Sequence, residues 1–322
     1  MILLTGGAGF IGSVLLKYLN DSGRTDIFLV DSLGTSEKWK NISKRQIDDY
    51  LDKNAFLKIL RKRKSLPEFD FIFHLGACSS TTERNMDYLM ENNFLFSKYL
   101  AEHAFRKKTP FIYASSGATY GDGANGFQDD TSLIHKLSPL NGYGFTKHIF
   151  DSWIIKQKTE SQILGFKFFN VFGPNEYHKG EMSSVVFKAY HEVLTNKKIS
   201  LFASEHPEYQ NGEQKRDFIY VKDVVETLLE TTHKGVSGLF NLGSGTPNTW
   251  NDLASAIFKS LKIKENIEYV PLPSHLVGKY QYYTAAEMDK LYKTGITHRP
   301  RTLDISVNDY ISNYLTKDDS YL

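Results

Sequence analysis

The stretch LTGGAGFIG, Leu4 to Gly12, decides the fold. Gly7, Gly9 and Gly12 stand at G-x-G-x-x-G spacing, and Gly6 gives the alternative G-x-x-G-x-x-G reading. Glycines at these intervals permit a tight turn, let backbone approach a pyrophosphate, and bring helix and strand close together. The helix that opens behind them offers unpaired N–H groups and partial positive charge to phosphates. Spacing alone is weak evidence, because a plain glycine turn satisfies it too. The setting is more specific. The apolar run MILLT (1–5) precedes the glycines, an amphipathic stretch follows from Ile11 to Asn20, and Asp31 ends the next apolar run, DIFLVD (26–31). A carboxylate 19 residues beyond Gly12 is placed to bond an adenosine ribose.

Outward from this unit the same alternation continues. FDFIFHLG (69–76), TPFIYASS (109–116) and ILGFKFFNVFG (163–173) read as strands buried on both faces. Helical stretches Asn54–Arg61, Met86–Phe105 and Gly144–Lys156 lie between them. The pattern predicts an α/β fold, a Rossmann-type doubly wound parallel sheet with a smaller C-terminal substrate lobe. Beyond residue 170 the order loosens. MSSVVFKAYHEVL (182–194) and NDLASAIFKSL (251–261) read as helices, FIYVKDVVETLLETT (218–232) as a short strand entering a helix, and GLFNLGSG (238–245) and IEYVPLP (267–273) as strands. The expected division is a dinucleotide-binding domain over 1–173, with 216–245 returning to it, and a nucleotide-sugar lobe over 174–215 and 246–322. The tail TKDDSYL is expected to fray.

Composition narrows the partners. Lys+Arg of 39 against Asp+Glu of 37 leaves a net charge of +2, which gives no bulk electrostatic case for nucleic acid or a membrane surface. The basic run Arg61-Lys62-Arg63-Lys64 closes a leucine-rich helix and reads as a solvated helix end. Cys78 is the single cysteine, which excludes an internal disulfide and agrees with a reducing compartment. No apolar run approaches the roughly 18–20 residues of a membrane span. The start has no basic segment before its apolar residues, so a cytoplasmic location is expected. No metal site is expected.

The chemistry-bearing residues lie further along. YGFTK places Tyr143 and Lys147 one turn apart on one helix face. A tyrosine with a pKa near 10 is a poor base at neutral pH, but a neighbouring ammonium and an oxidised nicotinamide favour its phenolate. Tyr143 then takes a hydroxyl proton while the carbon gives up hydride. Y-x-x-x-K also arises by chance on many helices. The strand YASSGATYG raises its weight by ending in Ser115 and Ser116 at the edge where such sheets bind ligands. Asp31 alone favours NAD, since a carboxylate repels a 2′-phosphate. Ser32 and Lys38 follow closely, however, and unless Lys38 is merely solvated its charge neutralises such a phosphate; the reading leans to NADP, with NAD as alternative.

Together these residues resemble the extended short-chain dehydrogenase/reductases, the group of nucleotide-sugar epimerases and dehydratases. LGACSSTTE (75–83), FFNVFGPNEYHKG (168–180), KRDFIYVKDV (215–224) and GLFNLGSG narrow the resemblance to the ADP-glycero-manno-heptose 6-epimerase family, along nearly the whole chain. That family is bacterial and supplies heptose for lipopolysaccharide. The resemblance implies an isomerase that oxidises C6 of an ADP-sugar to a transient carbonyl and reduces it again on the opposite face. The turned-over oxygen lies out of reach of Tyr143, so a second acid/base is needed, and the resemblance assigns that role to Lys179. The alternative is that Lys179 pairs with substrate phosphates.

By matching position, the resemblance puts Phe10, Ile11, Asp31, Ser32, Lys38, Lys53, Leu75, Gly76, Ala77, Cys78, Ser79, Asn92, Lys147 and Val171 around the cofactor. Asn170, Phe202, Ala203, Ser204, Glu205, Arg216 and Tyr280 correspond to substrate positions, although Phe202 and Tyr280 also suit a plain core. Glu181 and Lys188 fall at substrate-side positions where the family often has serine and histidine, and Lys167 and Phe172 replace a commoner arginine and tyrosine. The segment SEHPEYQNGEQKRD is longer than the family pattern. These departures bear on the nucleotide contacts more than on the chemistry. The resemblance also implies a homo-oligomer, a pentamer. Competing readings are a nucleotide-sugar 4-epimerase, which needs no Lys179, a 4,6-dehydratase, which carries acids where this chain has Ser116-Gly117-Ala118-Thr119, and a non-catalytic dinucleotide sensor on the same fold. A sensor has no use for an intact Ser116, Tyr143 and Lys147.

Overall fold

A computed structural model describes residues 1–274 and 280–322. In chain order its elements are β1 (Ile2–Thr5), α1 (Phe10–Asp21), β2 (Ile27–Asp31), β3 (Asp49–Asp52), α2 (Lys53–Arg61), β4 (Phe71–His74), α3 (Met86–Leu89), a π-helical turn (Met90–Leu95), α4 (Phe96–Lys107), β5 (Phe111–Ser116), α5 (Gly142–Ile154), β6 (Ile163–Phe168) and β7 (Asn170–Phe172). There follow α6 (Val185–Asn196), β8 (Ile199–Phe202), β9 (Lys215–Arg216), β10 (Phe218–Tyr220), α7 (Val221–His233), β11 (Gly238–Leu242), β12 (Asn248–Thr249), α8 (Trp250–Leu261), β13 (Ile267–Val270), α9 (Asp289–Tyr292) and α10 (Leu303–Tyr310).

Seven strands form one parallel sheet in the order β11-β6-β5-β4-β1-β2-β3. The order reverses between β1 and β4, which opens a crevice at their carboxyl ends. Side chains alternate between two apolar layers, as a strand period of two requires: Ile2 and Leu4 join the layer of α1 and α7, and Leu3 that of α2, α4 and α5. Both faces are covered, so the strand sequences are apolar runs with little alternation. The doubly wound sheet expected from the sequence is present, with one strand more than expected, β3. Its residues, DYLD, are mostly polar and lie at the sheet edge, so they carry no apolar run to announce them.

Two expected elements are interrupted. The run 163–173 makes two strands, because the chain leaves the main sheet at Phe169, and β7 pairs with β10. The expected helix 86–105 contains the π-helical turn, and its extra residue aims Asn92 and Asn93 inward together. Asn93 bonds both polar groups of the Cys78 backbone (2.8 and 3.0 Å) and Thr146 Oγ1 (3.1 Å). The tail also departs from expectation. Tyr177 Oη donates to the Ser320 carbonyl at 2.6 Å, the Leu322 N–H donates to Asn175 Oδ1 at 2.9 Å, and the Leu322 side chain is buried. An apolar last residue and two tyrosine partners outweigh the polar composition that suggested fraying. Lys62, Arg63 and Lys64 are exposed beyond α2, as a solvated helix end should be.

The later half packs against the sheet through buried polar staples. β9 pairs with β12 and β13 with β8, while α8 packs on α6 and α10. Asp217, fully buried between β9 and β10, accepts hydrogen bonds from the N–H groups of Ser244 (2.6 Å), Gly245 (3.0 Å) and Ala286 (2.9 Å). One carboxylate therefore joins three separate stretches of chain. Asp217→Ala strands these donors, and urea unfolding should show a loss of about 3 kcal/mol or more; a loss below about 1 kcal/mol would mean that water replaces the carboxylate at little cost.

Candidate active site

The crevice at the β1/β4 reversal is a cleft of about 590 Å³. Its floor is the glycine turn. Gly6 has φ +72°, and a Cβ there would sit 2.5 Å from the Gly76 nitrogen; at Gly12 it would sit 2.1 Å from the Gly6 carbonyl oxygen. Side chains at either position are excluded by backbone, which brings the starts of α1 and of the β4 loop together. A Cβ at Gly9 would stand 3.0 Å from the Gly6 carbonyl oxygen and 4.0 Å from Lys38 Cε, a tighter approach to backbone than a side chain ordinarily makes. This cradle fits a dinucleotide pyrophosphate.

Of the expected cofactor residues, Gly6, Gly9, Phe10, Ile11, Gly12, Asp31, Ser32, Lys38, Lys53, Leu75, Gly76, Ala77, Cys78, Ser79, Asn92, Lys147 and Val171 all line the cleft. Gly7 does not; its Cα faces Leu29. Asp31 accepts the Ala8 N–H at 2.9 Å with one oxygen and pairs with Lys38 through the other. Lys53 donates to Asn92 Oδ1, and burial lowers its pKa. The carboxylate and two ammonium groups thus share the end of the cleft beside β2.

Ser116, Tyr143 and Lys147 meet on the other side of the crevice. Ser116 ends β5 and caps the next turn by accepting the Ala118 N–H at 3.1 Å. Asn141 caps α5 by accepting the Gly144 N–H at 2.8 Å, which sets the helix rotation that presents Tyr143 and Lys147 on one face. Burial pushes the Tyr143 phenol above its ordinary pKa, and a hydrogen bond with Ser116 opposes this. Lys147 is itself desolvated, its pKa is pushed down to about 8, and its Nζ donates to the Ala114 carbonyl at 2.7 Å.

Lys179 enters the same cleft from a short turn, Tyr177–Met182. Its Nζ lies 5.1 Å from the Phe10 ring centroid and has no carboxylate partner among the described residues. Burial lowers its pKa, and Lys188 adds to this while Glu176 opposes it. The buried Glu176 holds the turn by accepting from the Ser184 N–H (2.5 Å), Ser184 Oγ (2.7 Å) and the Gly173 N–H (3.2 Å). His178 also lines the cleft, neutral at pH 7, with its pKa lowered to about 4 by burial and the nearby lysines.

The expected substrate residues divide. Asn170 lines the cleft. Arg216 lies apart from that lining, nearly buried between aromatic rings, with its guanidinium 5.6 Å from Trp250 and 5.1 Å from Tyr280. Tyr280 accepts from Trp250 Nε1 at 2.9 Å and meets Phe202 edge-on at 6.2 Å, so both join an aromatic wall. Ala203, Ser204 and Glu205 continue from β8 beside it, with Glu205 N–H donating to Tyr282 Oη at 3.3 Å. Glu181 and Lys188 form an exposed pair at 3.5 Å, outside the cleft lining. Sequence reasoning missed Tyr88, Phe169, His178 and Trp250 as lining residues, and Glu176 as the brace. For His178 a signal existed in its place next to Lys179; the others are aromatic or acidic residues with no local mark of their place.

Residues 2–243 match the model of the NAD dependent epimerase/dehydratase family. The chain is 46% identical over 323 residues to an ADP-L-glycero-D-manno-heptose-6-epimerase of Nitratidesulfovibrio vulgaris, covering all of both chains. It is 43% identical to an enzyme of the same name from Fusobacterium nucleatum, again over the full length of each. The solved ADP-L-glycero-D-manno-heptose-6-epimerase of Helicobacter pylori superposes with a TM-score of 0.81 at 26% identity, over 97% of this chain and 95% of that one. This chain therefore belongs to the NAD-dependent epimerases and dehydratases and, among them, to the ADP-L-glycero-D-manno-heptose-6-epimerase family.

The brace on the Lys179 turn can be tested directly. Glu176→Ala leaves the Ser184 and Gly173 donors without their acceptor, and urea unfolding should register about 2 kcal/mol. Amide exchange at Lys179 and Ser184 should accelerate more than in the central sheet. Unchanged exchange at both amides would show that the turn holds its shape without Glu176.

Proposed function

We propose that this chain inverts C6 of ADP-D-glycero-D-manno-heptose, giving the L-glycero epimer used for lipopolysaccharide heptose. The enzyme is an isomerase. The observation that carries the reading is that Lys179, Tyr143 and Ser116 reach one cleft from different elements, in a chain full-length similar to heptose 6-epimerases. A bound nicotinamide dinucleotide supplies reversible hydride acceptance at C6. Ser116 and Tyr143 hold the C6 oxygen in one configuration, and Tyr143 takes or returns its proton. Lys147 stabilises the phenolate that this leaves, which the buried phenol does not reach unaided. Lys179, desolvated and without a carboxylate partner, serves the oxygen when C6 presents its other face. Arg216 with its aromatic wall takes the diphosphate of the ADP group.

The substrate lobe is taken as 174–215 and 246–322, with 1–173 and 216–245 forming the dinucleotide-binding part; residues 275–279 lie outside the described structure. Among the described residues no helix is long and apolar enough to cross a membrane. We take the working enzyme to be a cytoplasmic homo-oligomer, a pentamer.

Incubation with ADP-D-glycero-D-manno-heptose, followed by NMR, should show the C6 epimer; no epimer, with 4-epimerised or dehydrated product from another nucleotide sugar, would overturn the reading. Tyr143→Phe should fold and lose a factor of roughly 10²–10⁴ in turnover. Lys179→Met should abolish epimerisation with ADP-sugar binding nearly unchanged. Weakened binding at unchanged turnover would instead make this lysine a phosphate clamp.

For the cofactor we favour NADP over NAD. Lys38 neutralises Asp31, the carboxylate that would otherwise repel a 2′-phosphate, and Lys53 adds a second cation nearby. Titration should show tighter binding of NADP than of NAD, and Lys38→Ala should narrow the gap. Equal affinities in the unmodified protein would remove Lys38 as a phosphate partner.

A further inference from the structure

Beneath Ser116 and Lys147 lies a buried charge pair that touches neither the cofactor cleft nor solvent. Asp151 follows Lys147 by one turn of α5 and is 0% exposed; Lys167, on β6, is 2% exposed. Their charged atoms are 3.0 Å apart. The Asp151 carboxylate also accepts from Ser115 Oγ at 2.6 Å and Tyr113 Oη at 3.0 Å, both on β5. Lys167 donates to Thr119 Oγ1 at 2.6 Å, and that hydroxyl donates to the Ser116 carbonyl at 2.8 Å. Lys147 in turn donates to the Ala114 carbonyl. Three successive residues at the edge of β5 are thus each held by a different buried side chain, and two of those tethers run through the Asp151–Lys167 pair.

We propose that Asp151, paired with Lys167, is a positioning residue for epimerisation, fixing the β5 edge that presents Ser116 and supplying the counter-charge for Lys147. The proposal rests on the proton-transfer roles given above to Tyr143 and Lys147. A buried ion pair is poor evidence of stabilisation by itself, since apolar residues of similar volume often replace one without loss. What recommends a functional role is its position, one helical turn from the lysine that must stay charged. Burial drives Lys147 towards the neutral amine, and Asp151 opposes this. The other titratable groups facing Lys147 are Tyr143 on its own helix, Cys78 from the loop after β4, and His74 on β4, which burial keeps neutral with a pKa of about 3. Facing Asp151 are Lys167, Tyr113, Tyr120 from the turn after β5, and Tyr143, Lys147 and His148 on the same helix.

The sign of the effect follows. Removing the carboxylate leaves the Lys147 ammonium less favoured, so it loses its proton at lower pH. The alkaline limb of turnover should then move to lower pH as well. Asp151→Asn alone leaves Lys167 buried without a counter-charge and should unfold at lower temperature. Asp151→Asn/Lys167→Met removes both charges and should recover most of that thermal stability.

The test compares this double variant with the unmodified enzyme. Lys147 titration is read by NMR of lysine labelled at Cε with ¹³C, its signal assigned by loss in Lys147→Arg. Turnover of ADP-D-glycero-D-manno-heptose is followed against pH. The proposal expects recovered thermal stability with both the Lys147 titration and the alkaline limb displaced to lower pH. Recovered stability with neither displaced would make the pair purely structural and overturn the proposal. A Lys147 titration that moves while the limb stays would instead remove Lys147 from the governing ionisations, and with it the catalytic half of the proposal.

Discussion

One buried amide joins the two halves of the proposed chemistry. Asn41 Nδ2 donates to the Ala8 carbonyl in the glycine turn (2.9 Å) and to the Asn175 carbonyl (3.0 Å), and lies 3.2 Å from His178 Nδ1. Ala8 shapes the floor on which a pyrophosphate rests, while Asn175 and His178 lead into the turn of Lys179. Both Nδ2 hydrogens go to the two carbonyls, so His178 Nδ1 is a close neighbour of the amide and receives no hydrogen from it. Asn175 then reaches back, donating to Ser13 Oγ on α1 at 2.9 Å, and takes the Leu322 N–H on its other side. These hydrogen bonds tie the glycine turn to the segment that leads into Lys179. The Oδ1 of the Asn41 amide has no hydrogen-bond partner among the described residues.

This dependence explains what the sequence disclosed and what it hid. The parallel sheet was legible because burial on both faces leaves continuous apolar runs, and the glycine turn because backbone contact admits no side chain at Gly6 or Gly12. The cofactor wall was what the family resemblance implied by matching position, and the meeting of Ser116 with Tyr143 and Lys147 followed from a helical spacing and a strand end. Asn41, Asn93, Glu176 and Asp151 had no such mark. Asn41 acts across more than a hundred residues, Asn93 through a π-helical turn, and Asp151 from within an amphipathic helix where a lone polar residue looks like any other, while Glu176 braces a short turn with no sequence pattern of its own. β3 was hidden for the opposite reason: an edge strand needs little apolar surface. The docked tail, too, is a tertiary decision made by Leu322 and two tyrosines against a polar local composition.

The protonation states of the site follow from the same burial. Desolvation disfavours whichever form is charged, so it raises the Tyr143 phenol and lowers the lysines, moving groups of similar intrinsic pKa apart. Tyr143 and Lys179 are both shifted chiefly by desolvation, which for Lys179 the charge of Glu176 opposes.

Tyr143 is anchored through Ser116 at the end of β5, whereas Lys179 is seated over the Phe10 ring at the start of α1. In the sheet β4 stands between those anchors. Two groups on the same strand end would approach a substrate carbon from one side and duplicate each other's reach. Anchored across the strand-order reversal, they enter one cleft from different elements, as the proposed two-sided proton transfer requires. An aromatic face suits the second anchor, because it holds an ammonium without neutralising it. A carboxylate in its place would give a stronger pair and a lysine less able to release its proton.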